Sequence, residues 1–415
     1  MSKALLFAPE TFNFAEVTRC MEVARRLPDF RCVFAGYSQR FSSPIEKAGF
    51  EYRALTPEMT DSEIDMAMDL DQGRGFRHPF TVPMVRRRVA SERALIRELK
   101  ADAVVIGTTL SQLISARAEK VPLFYVKPFA YSMPHMTQMR RTGFLPRETT
   151  AQRLIDESAA WFFRNLVARL LPTPRGFRQA GREAGGEVSR SLIHFLEADV
   201  NLVASPPELI PAWCALPEKK LRGNGAGLCP VAGVPVAEDL RNIQERGRLA
   251  ILVAMGSSAN RRPVLDVTHS ASRADVEIIS PSAVYLSDAD RETLPGNVHV
   301  TGWIPVHRLG DLVDVAITHG GEGTVQTSCS RGWPFIEIPL QLEQRYDVMR
   351  CVAFGDVRLV SSKKASRTGW AKLVVRQLAD RMMWDAADRM VELCDGLDGP
   401  GRCADVIRNH LKGQG

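Results

Sequence analysis

The stretch Val315–Gln344 constrains the fold of this 415-residue chain more than any other part of it. An apolar run that leads into it, Val313–Ile317, predicts a strand buried on both faces. The letters THGGEGT follow, and then a predicted helix over Val325–Ser330, which a glycine and a proline end. A second apolar strand, Phe335–Ile338, comes next. Strand, loop, helix and strand form a βαβ unit, which places the loop at the carboxyl end of a strand, where open parallel sheets bind ligands.

The chemistry of this glycine loop suits an anion. Three glycines lie within four positions, which lets backbone N–H groups approach a ligand closely. The helix that follows carries about +0.5 of a charge at its N-terminus, so a diphosphate is the expected ligand. His319 adds a side-chain donor and Thr324 adds a hydroxyl. Glycines alone also serve packing in such turns, but the full string is more specific, with Glu343 and Gln344 in the predicted loop beyond the second strand.

The same residues resemble the donor-sugar signature of GT-B glycosyltransferases, in the inverting, UDP- or TDP-sugar-dependent family (glycosyltransferase family 1-like). The signature runs strand, THGGxGT, helix, GxPxxxxP, then an acidic residue and Gln. Its middle part is filled here by Gly332, Pro334 and Pro339. The resemblance implies that Glu343 and Gln344 hold sugar hydroxyls, and that the nucleotide diphosphate is held by His319, Gly320, Gly321, Gly323 and Thr324. The family usually carries a ribose-binding Glu where this chain has Thr327.

Two further segments match the same family. A predicted strand over Leu249–Met255 is followed by Gly256, Ser257 and Ser258, and the family contacts phosphate at this position through backbone and hydroxyl groups. The segment Asn297–Pro305 resembles the family's VxGWxP segment, whose Trp or backbone faces the nucleobase. The resemblance therefore adds Trp303 and Ile304 to the predicted nucleotide-sugar site.

The N-terminal half alternates between strand-length apolar runs and helical periods. Strands are predicted at residues 3–8, 31–35, 102–107, 121–126 and 199–204, and helices at Ala15–Leu27 and Val85–Leu99. Thr56–Arg77 is polar and is interpreted as a mobile loop. The alternation predicts an α/β protein, and the resemblance implies the GT-B fold, with two Rossmann-like domains facing across a cleft.

The predicted domain boundaries follow from composition and from the resemblance. Residues 1–228 are predicted to bind the acceptor and residues 229–398 the nucleotide sugar, with an interdomain linker in the glycine- and proline-rich stretch Leu221–Glu245. Near the C-terminus a helical period runs over Ala371–Leu393, and Gly399–Gly401 is expected to break it. The last helix, within 399–415, is expected to cross back to the first domain.

The first strand–helix junction, Pro9–Cys20, resembles the GHVTRC-type junction of GT-B acceptor domains. Val17–Cys20 match, but Glu16 stands where the family has its usual catalytic His. A carboxylate there is a candidate catalytic base. Alternatively, Glu16 is a first-turn residue that the helix dipole favours. His135 is the rival candidate for the catalytic base.

Residues that follow predicted strands are candidates to line the binding site of an apolar acceptor. Lys127–Met136 carries aromatic and methionine side chains, and a packed loop is the alternative interpretation. The predicted acceptor-binding residues are Phe12, Asn13, Phe129, Tyr131 and Met133. Ala159–Leu171 has an apolar stripe with two arginines, which suits a core or acceptor-lid helix, or contact with a membrane surface or a partner.

Composition excludes several other functions. The net charge is +6 and the densest basic cluster is Arg86–Arg88, so no nucleic-acid partner is expected. None of the eight cysteines forms a CxxC pair, so their spacing supports neither zinc nor a thioredoxin-like motif and indicates cytosolic thiols. No apolar run reaches the ~18 residues of a spanning helix, and no signal peptide is recognised, so a cytoplasmic location is expected. Asp69-Leu70-Asp71 is a DxD string in a polar loop, and no metal or other cofactor is predicted beyond the sugar nucleotide as co-substrate.

The chain is therefore predicted to be a glycosyltransferase of the natural-product type. It would move a sugar with inversion from a nucleotide-diphosphate sugar to a small, partly apolar acceptor. Three alternatives stay open at this point: a lipid-linked sugar transferase at a membrane surface, a sugar-nucleotide 2-epimerase, and a non-catalytic activator of glycosyltransferase ancestry. The oligomeric state is not predicted.

Overall fold

The computed structural model divides the chain into two compact units. The first unit is Met1–Gly227 with Asp398–Gly415, and the second is Leu228–Leu397. The residues that the structure describes are 3–71, 75, 77–142, 149–167, 170–186, 188–203, 205, 240, 243, 247–256, 261–302, 304, 306–340 and 342–413. Most of the predicted linker, Leu221–Glu245, lies outside these ranges.

The first unit is a six-stranded parallel sheet with helices on both faces. Its strands are β1 Ala4–Ala8, β2 Arg31–Gly36, β3 Glu51–Ala54, β4 Ala103–Ile106, β5 Leu123–Lys127 and β6 Val200–Val203, in the order β3-β2-β1-β4-β5-β6. Its helices are α1 Phe14–Arg25, α2 Ser42–Lys47, α3 Asp61–Asp71, α4 Val82–Leu99, α5 Gln112–Ala118, α6 Met133–Gln138, α7 Thr150–Phe162, α8 Arg175–Glu183 and α9 Leu192–Phe195. The central strands β1 and β4 are apolar and buried along their whole length, as parallel strands covered on both faces must be.

The second unit repeats this arrangement. Its strands are β7 Ala250–Ala254, β8 Glu277–Ser280, β9 Val298–Val300, β10 Val315–Thr318, β11 Phe335–Glu337 and β12 Val357–Leu359, in the order β12-β11-β10-β7-β8-β9. Its helices are α10 Arg261–Ala271, α11 Asp288–Glu292, α12 Glu322–Arg331, α13 Leu342–Phe354, α14 Trp370–Leu378 and α15 Arg381–Cys394. The strand order is that of a Rossmann fold in both units. The positions where that order reverses, between β1 and β4 and between β7 and β10, are where such sheets bind ligands.

The last helix, α16 Gly399–Lys412, is part of the first unit. Its apolar face, with Cys403, Ile407 and Leu411, shares a buried cluster with residues of α1 and β1. The Nζ of Lys3 donates a hydrogen bond to the carbonyl oxygen of Leu411 at 2.7 Å. The guanidinium of Arg408 donates to the carbonyl oxygen of Arg26 at 2.9 Å. The chain thus ends on the sheet with which it begins.

Several elements differ from the sequence-based expectation. The predicted mobile loop Thr56–Arg77 contains the helix α3, because Thr60 and Glu63 cap each other's backbone N–H groups at its start. The DxD string therefore lies on a helix. The predicted loop at Glu343 and Gln344 is the first turn of α13.

The C-terminal helices differ as well. The single helix predicted over Ala371–Leu393 is two helices, α14 and α15, and Arg358 donates to Asp380 at the break. Gly399–Gly401 begins a helix rather than breaking one, because Asp398 caps the N–H of Gly401 and Pro400 suits a first turn.

The apolar segment Ala159–Leu171 is not one helix. The helix α7 ends at Phe162, and a π-helical turn covers Phe163–Val167. Among the described residues, no helix is both long enough and apolar enough to cross a membrane.

Candidate active site

The glycine loop of the second unit lies at the carboxyl ends of β7 and β10. These strands pair in parallel with Thr318 beside Ala254. His319 follows directly, and its buried ring makes a hydrogen bond between Nδ1 and the carbonyl oxygen of Ala254 at 3.3 Å. A carbonyl can only accept, so Nδ1 carries the proton and Nε2 is left without one in the neutral ring. Burial lowers the pKa of His319 to about 4, so the ring is neutral near pH 7.

Glycine is required around this histidine. A Cβ on Gly256 or on Gly321 would overlap the His319 ring. Gly256 also has φ +59°, and Gly320 has φ +81°, a region that other residues rarely adopt. A Cβ on Gly320 would lie 3.2 Å from Cβ of Gln344, so the loop packs tightly against the start of α13.

The N-terminus of α12 points its backbone donors into the loop region. Gly321 at the N-cap supplies no side-chain hydrogen bond to the first turn. The hydroxyl of Thr324 donates to the carbonyl oxygen of Gly321 at 2.8 Å, which fixes the turn that also contains Gly323. An uncapped helix start next to a glycine loop is an anion site by its dipole and its N–H groups.

Thr327, where the family has a ribose-binding Glu, is engaged inside its own helix. Its hydroxyl donates to the carbonyl oxygen of Gly323 at 2.7 Å, and its side chain is buried. Gln344 is also buried, and its Oε1 accepts from the N–H of Leu340 at 2.9 Å. The side chain of Glu343 and all of Ser257, Ser258 and Trp303 lie outside the described residues, and Ile304 is half-buried.

Sequence reasoning missed Glu337, which lies on β11 beneath the loop. Its buried carboxyl accepts a short hydrogen bond from the hydroxyl of Thr318, and that hydroxyl accepts from the N–H of Gly320 at 3.3 Å. Burial raises the pKa of Glu337 to about 8. A charged residue inside the apolar run FIEI was the available signal. Glu337 therefore holds the loop through Thr318 in its protonated form.

In the first unit, Glu16 lies at the corresponding position between β1 and β4. Its Oε2 accepts from the N–H groups of Thr108 at 2.7 Å and Glu10 at 3.0 Å. Its Oε1 accepts a short hydrogen bond from the hydroxyl of Thr108, and Nδ2 of Asn13 lies 3.4 Å away. Burial raises the pKa of Glu16, and the hydrogen bonds from Thr108 oppose that rise. All four lone-pair positions of the carboxylate are thus directed at protein donors.

The predicted acceptor residues divide into two groups. Asn13 caps α1 through Ala15, Phe12 packs on the core, and the ring of Phe129 meets His135 edge-on at 4.9 Å. Burial lowers the pKa of His135 to about 4. Tyr131 and Met133 are half-buried and present surface beyond the end of β5. Phe12 and Asn13 are half-buried as well, whereas Phe129 is buried.

Comparison with known proteins agrees with this architecture. A family model for the C-terminal domain of erythromycin biosynthesis protein CIII-like proteins matches residues 266–397. A PGL/p-HBAD biosynthesis glycosyltransferase of Mycobacterium tuberculosis is 24% identical over 402 residues, which covers 94% of this chain and 88% of the relative. The solved structure of the glycosyltransferase VinC in complex with DTDP aligns with a TM-score of 0.68 and 17% identity, over 99% of this chain and 100% of VinC. Spinosyn rhamnosyltransferase SpnG complexed with spinosyn aglycone aligns with a TM-score of 0.65 and 13% identity, over 98% and 99%.

The paired Rossmann-like sheets, the glycine loop and these likenesses together define a GT-B glycosyltransferase. The chain is an enzyme of the kind found in natural-product biosynthesis, as the sequence predicted.

Proposed function

We propose that this glycosyltransferase moves a sugar from a thymidine- or uridine-diphosphate sugar to a hydroxyl of a partly apolar small molecule, with inversion at the anomeric carbon. One observation supports the binding of such a donor. His319 is enclosed by Gly256 and Gly321 beside the uncapped start of α12. VinC, with the same fold, was solved with DTDP, which supports a diphosphate donor.

The diphosphate is proposed to lie on the N-terminus of α12. Backbone N–H groups of the loop and the Nε2 of His319 donate to its oxygens, so the negative charge that grows on the leaving group meets preorganised donors. Because Nε2 has no proton in the neutral ring, diphosphate binding is proposed to protonate His319. The sugar hydroxyls are proposed to bind Glu343 and Gln344 at the start of α13. Ribose is proposed to be held elsewhere, because the hydroxyl of Thr327 is already donated to Gly323.

On the acceptor side, Glu16 is proposed as the catalytic base, acting through Thr108. Glu16 is enclosed by four donors, and among them only the hydroxyl of Thr108 can also accept a hydrogen bond. Thr108 is half-buried, whereas Glu16 is buried. An acceptor hydroxyl would donate to Thr108 Oγ1 while the Thr108 proton passes to Glu16 Oε1, and the acceptor oxygen bonds the anomeric carbon as the diphosphate leaves.

The acceptor is proposed to contact Tyr131 and Met133. Their half-buried aromatic and thioether surfaces suit an apolar ring system that carries a hydroxyl. SpnG, with the same fold, was solved with a spinosyn aglycone, which supports an aglycone-type acceptor.

A second candidate function is transfer to a lipid-linked acceptor at a membrane surface. The segment around α7 and the π-helical turn exposes large apolar side chains, which are Leu154, Ile155, Trp161, Phe162, Leu166, Leu170 and Leu171. A surface of this kind, with arginines beside it, suits the interface of a bilayer. Co-sedimentation with anionic vesicles tests this candidate. The double variant Trp161→Ser/Phe162→Ser should lose the binding. The control Met382→Ser also replaces an exposed apolar residue with serine and should keep it.

Product analysis tests the proposed reaction. The purified protein is incubated with UDP- and TDP-sugars and a panel of hydroxylated aromatic acceptors, and masses and anomeric configuration are determined. An acceptor mass increased by one sugar with inverted configuration is expected. Epimerised donor without acceptor would indicate the epimerase, and no turnover by the protein alone would indicate the activator.

A further inference from the structure

Two thiols and a carboxyl group come together in the second unit, apart from the groups used by the proposed reaction. Cys329 lies on α12, Cys351 on α13, and Asp356 directly before β12. Each is exposed by 1% or less. The two Sγ atoms are 3.7 Å apart, and Sγ of Cys329 is 4.0 Å from Oδ2 of Asp356. The cysteines are 22 positions apart in sequence, so their spacing gave no sign of this cluster.

The distances in this cluster match those of a tetrahedral zinc site. Zinc binds thiolate sulfur at about 2.3 Å and carboxylate oxygen at about 2.0–2.2 Å. A tetrahedron with these bond lengths has a sulfur–sulfur edge of about 3.8 Å and a sulfur–oxygen edge of about 3.5 Å. The observed separation of the two sulfurs equals the first edge within about 0.1 Å, and the carboxylate oxygen is about 0.5 Å beyond the second. All three ligand atoms lie within 4.8 Å of one another.

Asp356 provides an independent observation that suits a cation site. Its Oδ1 is buried and has no hydrogen-bond partner in the part of the chain that the structure describes. A buried carboxyl oxygen without a partner costs free energy, and a cation among the three ligand atoms would remove that cost.

We propose that Cys329, Cys351 and Asp356 bind one structural zinc ion. Thiolates select thiophilic ions, and a mixed sulfur–oxygen tetrahedron suits Zn²⁺. Cys394 is the last residue of α15, and this helix packs against the end of α12, where Gly332 lies beside Val391. Cys394 is therefore the candidate for the fourth position. Binding releases the protons of the thiols and of the carboxyl group, and the negative charges of the ligands more than neutralise the charge of the ion.

The ion would fix the two helices that carry the donor residues. The helix α12 begins with the glycine loop, and Cys329 lies five residues beyond Thr324, or about 7.5 Å along the axis. The helix α13 begins with Glu343 and Gln344 and carries Cys351 near its end. A zinc ion at this distance from the loop would hold α12 against α13 without contacting the donor. The role is therefore structural.

Metal analysis of the tag-free full chain tests the proposal. We expect about one zinc per chain after purification and dialysis, and near zero in Cys329→Ser, Cys351→Ser and Asp356→Asn. Cys403→Ser is the matched control, because Cys403 is a buried cysteine of the first unit. Cobalt exchanged into the wild type should give thiolate-to-cobalt charge-transfer absorption, which the three ligand variants lose and the control keeps. Asp356→Asn keeps the shape of the side chain, so it tests the site even where a cysteine variant does not fold.

Three outcomes would overturn the proposal. The first is a wild-type protein that binds no zinc, either as purified or after incubation with Zn²⁺. The second is equal zinc content in Asp356→Asn and the wild type. The third is a mass two units lower than expected with two fewer titratable thiols, which would assign the sulfur pair to a disulfide. None of these outcomes depends on glycosyltransferase activity, so the proposed function stands or falls separately.

Discussion

The backbone N–H and the hydroxyl of Thr108 both donate hydrogen bonds to the carboxylate of Glu16, 92 residues earlier in the chain. This pair joins the first turn of α1, which comes after β1, to the loop that follows β4, at the point where the strand order of the first sheet reverses. Gly107 must be glycine for the contact to exist, because a Cβ there would overlap the Glu16 carboxylate. These hydrogen bonds hold the buried Glu16 carboxylate directly behind the half-buried hydroxyl of Thr108.

Glu16→Gln and Thr108→Val should both lower kcat, because each interrupts the proposed proton path. Loss of a general base typically costs 10²–10⁴-fold, so we expect a decrease of roughly that size for Glu16→Gln. Nucleotide affinity should be unchanged, since the donor site lies in the other unit. Steady-state kinetics with calorimetric nucleotide binding separates the two effects. Full turnover in Glu16→Gln together with its loss in His135→Ala would make His135 the base and Glu16 a structural residue.

Gly256→Ala should weaken nucleotide-diphosphate binding by displacing the His319 ring. The new Cβ overlaps that ring, and φ +59° is unfavourable for alanine. Gly296→Ala is the matched control in the same unit, because no atom lies within 4 Å of its Cβ position. Calorimetric titration with UDP and TDP measures both variants. Equal affinities in the two variants would contradict the enclosure of His319 as the basis of the site.

Glu337 should make the second unit less stable as pH rises from about 4.5 to about 8. Burial raises its pKa in the folded state from the usual 4.5 to about 8, so the folded state binds an extra proton in this range. The contribution of Glu337 to the free energy of unfolding is therefore fully present below its pKa in the unfolded state. It is lost as the pH rises through its pKa in the folded state, at up to about 1.4 kcal/mol per pH unit. The free energies of unfolding of the wild type and Glu337→Gln are measured in denaturant at pH 5.5, 7 and 8.5. Their difference at each pH gives the contribution of Glu337. A stability difference between the two proteins that does not change with pH would refute this assignment.

Binding of a nucleoside diphosphate should take up a proton and strengthen as pH falls toward 6. The free His319 ring is neutral because burial lowers its pKa to about 4, and its Nδ1 proton faces Ala254. Donation from Nε2 to phosphate therefore requires protonation, which the bound dianion favours. Calorimetry in buffers of different ionisation enthalpy counts the protons. Zero proton uptake, or uptake that persists in His319→Ala, would show that His319 does not donate through Nε2.

Much of the fold follows from local pattern. The apolar runs at β1, β4, β7 and β10 mark the strands at the centre of each sheet, and the string Thr318–Thr324 marks the glycine loop. Local signals also explain two of the differences. The Thr60–Glu63 capping box marks the start of α3, and the cap by Asp398 marks the start of α16. The break at Asp380 has no such signal, because neither glycine nor proline marks it and Arg358 holds it from a distant strand.

The rest of the site depends on contacts between distant parts of the chain. Thr108 meets Glu16 only because β1 and β4 are neighbours in the sheet. Glu337 becomes a buried, protonated support only because β11 lies beside β10. Cys329 and Cys351 meet only because two helices pack. These distances cannot be derived from sequence spacing. The sequence therefore predicts the glycine loop but not the contacts that support it.

The most direct test of the donor site is calorimetric titration of UDP, TDP, GDP and ADP into the wild type, His319→Ala and the control His269→Ala. His269 is a half-buried residue of α10 whose ring bonds Thr293. We expect one-to-one binding of UDP or TDP to the wild type and the control. A hydrogen bond to a charged group contributes about 1.5–3 kcal/mol, so His319→Ala should bind about ten- to a hundredfold more weakly. The absence of binding by all four nucleotides, or equal affinities in His319→Ala and the wild type, would contradict the assignment of the glycine loop to the donor diphosphate.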